Sequence, residues 1–69
     1  QPNEILLILS GFLQDDINII NWVINSGIYK EVKEIYIKEH PILKINQIKK
    51  HLKYLPKNFI VTKKNFWDS

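Results

Sequence analysis

The sequence predicts an α/β fold: a βαβαβ Rossmann-like half unit, with three parallel strands in order 1-2-3 and both helices on one face. Three observations predict it. The apolar run Ile5-Leu6-Leu7-Ile8-Leu9 lacks alternation and closes on Ser10-Gly11. A stretch of helical period follows it. Then a β-branched and aromatic run leads into Lys38-Glu39-His40-Pro41, and a second helix and a third strand come after. Helical segments between strands favour parallel pairing, and such crossovers are right-handed in nearly all known cases. Sequential neighbours joined that way place both helices on the same face.

The first strand is expected over Glu4 to Leu9. An unbroken apolar run suits a strand buried on both faces. Gly11 permits the tight turn into the helix. Asp15 and Asp16 are N-cap candidates whose charge suits the positive end of a helix. From Ile17 onward, Ile17, Ile20, Val23, Ile24 and Ile28 share one arc, and Asn18, Asn21 and Asn25 lie opposite. Ile19 and Trp22 fall off that arc and are expected to be partly exposed. Gly27 stands where a left-handed C-terminal cap belongs.

The second strand is expected over Val32 to Ile37, rich in strand-forming residues, and Pro41 prevents its continuation. A second helix from about Ile45 to Tyr54 puts Ile45, Ile48, Leu52 and Leu55 on one face, and Asn46, Lys49, Lys50 and Lys53 on the other. Pro56 stops it. The third strand is Asn58 to Thr62. Lys63-Lys64-Asn65 turns away from it, and Phe66-Trp67-Asp68-Ser69 is read as the start of another element.

Composition narrows the function classes. The chain has 69 residues, enough for one small domain. A domain this size buries only about 60% of its unfolded surface. With no cysteine and two histidines, neither a disulfide framework nor a zinc site is available to compensate. Hydrophobic content of 45% and charged content of 25% are globular values, which exclude a disordered chain. No apolar run approaches the ~18–20 residues of a membrane span. The absence of cysteine fits a reducing compartment, and a cytoplasmic location is expected.

The net charge of +3 comes from lysine and is compatible with phosphate-bearing ligands, nucleic acid or an anionic surface. A solvated lysine-rich surface is the plainer reading. The chain contains no methionine and opens on Gln1-Pro2. Initiator removal would account for the start, but a piece of a larger protein, which accounts for both ends, is expected. The same follows from the sheet, since helices on one face leave the other uncovered. Either the rest of a parent protein or a dimer partner is expected there.

In open parallel sheets, ligands bind beyond the carboxyl ends of the strands. Three strand ends meet at that edge: Ser10-Gly11-Phe12, Lys38-Glu39-His40 and Thr62-Lys63-Lys64. A histidine there can donate to a phosphate through one ring nitrogen while a backbone carbonyl fixes the other. Its plainer role is to cap the second strand. Gly11 stands alone, so the glycine pattern is not a dinucleotide fingerprint. There is no cysteine nucleophile and no Ser-His-Asp signature. Asp15 and Asp16 are adjacent, so their side chains diverge on a helix and make a poor acid/base pair. No catalytic residue, metal or cofactor is assigned.

At Tyr36-Ile37-Lys38-Glu39-His40-Pro41, with Phe59-Ile60-Val61-Thr62 downstream and Leu9-Ser10-Gly11 upstream, the chain resembles a known family. It is similar to the nucleotide-binding half of bacterial surface-polysaccharide glycosyltransferases of the two-Rossmann-domain (glycosyltransferase-B) type, including capsular sialyltransferases and polysialyltransferases. In these a strand ends in Lys-Pro-His-Pro or a variant, followed by a helix and a Phe-x-Val-Thr strand. The resemblance implies that His40 and Pro41 match the His-Pro motif, whose histidine contacts the phosphate of a nucleotide-activated sugar, typically a cytidine nucleotide. It also implies that Ser10 and Gly11 line the same pocket. Lys38 and Thr62 complete the candidate set. Glu39 stands where the family most often has proline. The family's acidic general-base motif and its later Ser/Thr-rich donor loop do not occur in these residues, so the segment is not expected to be catalytic alone. Two other readings compete. One is a small basic interaction or nucleic-acid-binding module; the other is a receiver-like unit, which lacks the acidic strand ends it would need.

Overall fold

The computed structural model describes residues 3–63. Three parallel strands, β1 (Glu4–Ile8), β2 (Glu34–Lys38) and β3 (Phe59–Thr62), form one sheet in the order β1-β2-β3. Helix α1 (Leu13–Ser26) and a 3-10 turn (Ile28–Lys30) connect β1 to β2, and α2 (Ile45–Lys49) connects β2 to β3. This is the expected βαβαβ order with its sequential sheet. The last expected element, from Phe66, lies outside the described residues.

One face of the sheet carries the core. Strand residues alternate faces, and the paired positions Ile5-Ile35-Phe59 and Leu7-Ile37-Val61 form two rows beneath the helices. Ile17, Ile20, Val23 and Ile24 of α1 and Ile45 and Ile48 of α2 enter the same cluster. Ile20, Ile35, Ile37 and Ile48 are fully buried. Each contributes about 1.5–3 kcal/mol relative to exposure. Extents of 32 × 32 × 17 Å match one helix layer on one sheet.

Burial of β1 on both faces is not what the structure shows. Leu6 and Ile8 point away from the helices, and Ile8 is 57% exposed. An apolar run cannot reveal which of its faces has a cover, because that depends on elements distant in sequence.

Both helices also differ from their expected limits. α1 starts at Leu13, and its N-cap position is Phe12, without a side-chain cap. Asp15 and Asp16 thus lie inside the first turn. The C-terminal end is as expected: Gly27 has φ 77° and donates to the carbonyl of Ile24. Trp22 is 61% exposed, consistent with its place off the apolar arc.

α2 ends at Lys49, five residues before Tyr54. Its apolar spacing nevertheless continues to act, since Leu52 and Leu55 pack against the core from a non-helical connection. The connection is tied down beyond it. Asn58 donates to the carbonyls of Tyr29 (2.7 Å) and Val32 (3.3 Å), and Tyr29 meets Phe59 edge-on at 5.9 Å. β2 begins two residues later than expected, at Glu34, because Val32 still belongs to the turn that Asn58 holds.

Candidate functional site

The parallel topology brings the three strand ends to one edge, and the loops after them divide it into two parts. On the β1 side lie Ser10, Gly11 and His40. Gly11 has φ 89°, and a Cβ there would stand 2.7 Å from Cγ of His40, so the imidazole rests directly on the glycine backbone. His40 Nδ1 accepts the Ile42 N–H at 3.2 Å. The ring is therefore fixed by a backbone amide rather than by the carbonyl expected from sequence. With Nδ1 accepting, the neutral ring carries its proton on Nε2. Pro41 holds the second position of the turn His40–Leu43, closed by Leu43 N–H to the His40 carbonyl at 3.1 Å. Its fixed φ suits that place.

The amides after β1 are already occupied by an anion. Asp16 is 1% exposed, and its carboxylate accepts the Ser10 N–H (2.8 Å), the Ser10 hydroxyl (2.8 Å) and the Gly11 N–H (3.0 Å). Ser10 Oγ in turn accepts the Phe12 N–H at 3.2 Å. Asp16 is thus a brace between helix and loop, not an N-cap. These are charge-assisted bonds in a nearly dry setting and stronger than neutral ones. A ligand phosphate would have to displace Asp16 to use the same donors.

On the β3 side lies an open groove of about 280 Å³ lined by Lys38, Glu39, Pro41, Lys44, Thr62 and Lys63. Lys38 and Thr62 are register partners on adjacent strands. Lys44 sits at the N-cap position of α2. Its ammonium cannot accept a hydrogen bond, so Gln47 caps the backbone instead, accepting the Lys44 N–H at 3.0 Å. Glu39 turns its carboxylate onto the Ile45 N–H at the start of α2. That contact directs the one negative group among the described residues lining the groove towards the positive end of the helix.

Of the six candidate residues, Lys38, Pro41 and Thr62 meet in the groove, whereas Ser10, Gly11 and His40 meet at the Asp16-braced corner. Pro41 follows His40 directly and joins the two parts. Sequence reasoning did not single out Lys44 or the brace by Asp16. The signal for Lys44 was positional: helices start at this edge, and Lys44 directly precedes one.

The other face of the sheet has its own electrostatics. Glu34 Oε1 accepts the Tyr36 hydroxyl at 3.0 Å. That hydrogen bond, helped by desolvation and by the charges of Glu34 and Glu4, raises the Tyr36 pKa above the usual phenol value.

The fold and this edge define an α/β parallel-sheet unit with a lysine-lined groove at the carboxyl ends of its strands. No protein-family model, curated protein or solved structure matches the chain. Among the described residues no group of three or more His, Cys, Asp or Glu could hold a metal ion, and no helix is long and apolar enough to cross a membrane.

Proposed function

We propose that this chain is the donor-nucleotide-binding portion of a bacterial glycosyltransferase for surface-polysaccharide synthesis, acting in the cytoplasm on a CMP-sugar or similar donor. The observation that carries the reading is the groove: Lys38, Lys44 and Lys63 surround it beside the Thr62 hydroxyl, with Glu39 drawn onto α2. Cationic groups around a small polar opening suit a phosphate, and the sheet edge is where open α/β sheets bind ligands. At about 280 Å³ the groove falls just below the ~300–1,000 Å³ of ligand pockets. It accommodates the phosphate end of a donor, and the sugar and acceptor are left to other parts of the enzyme. His40, whose Nδ1 accepts the Ile42 N–H, has Nε2 left to donate at the adjoining corner. Catalysis is not assigned to these residues.

Titration with a cytidine nucleotide, followed by amide and side-chain NMR, tests the proposal. Thr62, Lys63, Lys44 and His40 resonances are expected to move together at millimolar ligand. Unmoved signals at these positions overturn it. Retention on DNA that disappears with moderate salt, without a nucleotide response, instead supports a basic nucleic-acid-binding module.

A further inference from the structure

A second opening lies on the helix side of the molecule, away from the carboxyl ends of the strands. It holds about 280 Å³ between α1 and the connection after α2, and is lined by Asn21, Ile24, Asn25, His51, Lys53 and Tyr54. α1 ends beside it and β3 begins a few residues beyond Tyr54, so it stands towards the amino edge of the sheet. Its far wall is anchored to the core. Tyr54 shares a hydroxyl hydrogen bond with Tyr29 at 3.2 Å, and Tyr29 rests edge-on against the buried Phe59. Four of the six lining side chains carry N–H donors: Asn21, Asn25, His51 and Lys53. Asn21 and Asn25 are one helical turn apart and share a flank of α1. Among the described residues none of these four side chains makes a hydrogen bond or ion pair. Other asparagines are engaged: Asn18 accepts from Gln14, and Asn58 holds the carbonyls of Tyr29 and Val32. No carboxylate stands among the described residues lining the opening.

We propose that this opening binds a small organic phosphate, a phosphomonoester on a compact polar body. Unused donors converging from two elements, with one fixed cation and no carboxylate, call for an anion rich in acceptors. A carboxylate presents two oxygens. A phosphomonoester presents three strong acceptor oxygens and a charge of about −1.5 to −2, which matches four donor-bearing side chains better. Lysine holds such a group as a point charge. The carbonyl end of α1 lies beside the opening and opposes an anion, so the charge is met by side chains, Lys53 first. The volume lies close to the ~300 Å³ lower bound of small-molecule sites, which suits a phosphate with a compact body. The opening shares no lining residue with the Lys38–Lys63 groove, and the proposal stands independently of the donor-binding reading.

Titration of the full chain with glucose 6-phosphate at constant ionic strength, followed by NMR, tests it. The side-chain NH2 signals of Asn21 and Asn25 and the ring signals of His51 are expected to move together and saturate at millimolar ligand. Glucose and acetate are expected to leave them in place. Lys53→Gln is expected to weaken binding about fivefold, and Lys53→Arg, which keeps the charge, to retain it within about twofold. Lys53 is exposed, so neither change endangers the fold. The Thr62 and Lys63 shifts with a cytidine nucleotide report the other groove and do not enter this test, so the two proposals fail separately. Shifts that never saturate, shifts with inorganic phosphate alone, or shifts as large with acetate each overturn the proposal. Undiminished binding by Lys53→Gln does so as well.

Discussion

Gly11 and His40 are in direct backbone-to-ring contact. A Cβ on Gly11 would stand 2.7 Å from Cγ and 2.8 Å from Nδ1 of the imidazole, and Gly11 also has φ 89°. Two separate constraints therefore require glycine there: the left-handed backbone and the ring lying on it. The contact fixes where His40 can be, and the Ile42 amide on Nδ1 fixes which nitrogen it presents.

Gly11→Ala is accordingly expected to destabilise the protein by about 2–4 kcal/mol, the sum of a left-handed backbone penalty and a steric one. Gly27→Ala provides the comparison. Gly27 has φ 77° but no atom within 4 Å of an added Cβ, so only the backbone penalty of about 1–2 kcal/mol applies. Urea denaturation of the two variants measures the difference, and the His40 ring signals should shift in the first variant alone.

Asp16→Asn tests the brace. An amide has one acceptor oxygen where the carboxylate has two, and its NH2 would face the Ser10 or Gly11 N–H. Loss of charge-assisted bonds at a buried site is expected to cost about 2–4 kcal/mol. Asp15, exposed one residue earlier, should tolerate the same change with little loss. Equal stability of the two variants in denaturant titration would contradict the role assigned to Asp16.

Glu39→Gln should act in opposite directions on stability and binding. The carboxylate caps the start of α2, so its neutralisation is expected to cost about 1 kcal/mol. The same change removes the one negative group among the described residues lining the groove. Affinity for a cytidine nucleotide is expected to rise about fivefold, and to fall by a similar factor in Lys44→Ala. Calorimetric titration of both variants reads this directly.

Tyr36 supplies a pH dependence. Its pKa in the folded protein is raised above the usual value, first by the hydrogen bond to Glu34. Above the unfolded pKa of about 10, the folded state holds a proton that the unfolded chain has released. The associated stability is complete below that pH and is lost as pH climbs through the higher folded value. Phenolate absorbance should show late ionisation of Tyr36, and Glu34→Gln should bring it back towards the ordinary value. An unchanged titration in that variant would remove Glu34 as the cause.

Much of the architecture was legible in the residues themselves. Ile17, Ile20, Val23 and Ile24 mark α1, Gly27 marks its end, and the β-branched runs around Ile35 and Val61 mark the strands. These are short-range signals, because periodicity and capping are decided within a turn or two of chain. Lys38, Pro41 and Thr62 at one edge followed from parallel order alone. The apolar spacing of Leu52 and Leu55 predicted their burial correctly but not their backbone, since the same contacts are made without a helix.

By itself, then, the sequence determined the order of elements, the sense of the sheet and the edge at which the loops converge. Only the tertiary structure decided what those loops do there. Asp16 folds back onto Ser10 and Gly11, Glu39 caps α2, and the edge becomes two parts instead of one pocket. Each of these rests on a carboxylate finding a backbone amide five or six residues away in the chain. A linear pattern states that the charge is present, while packing selects the amide that receives it.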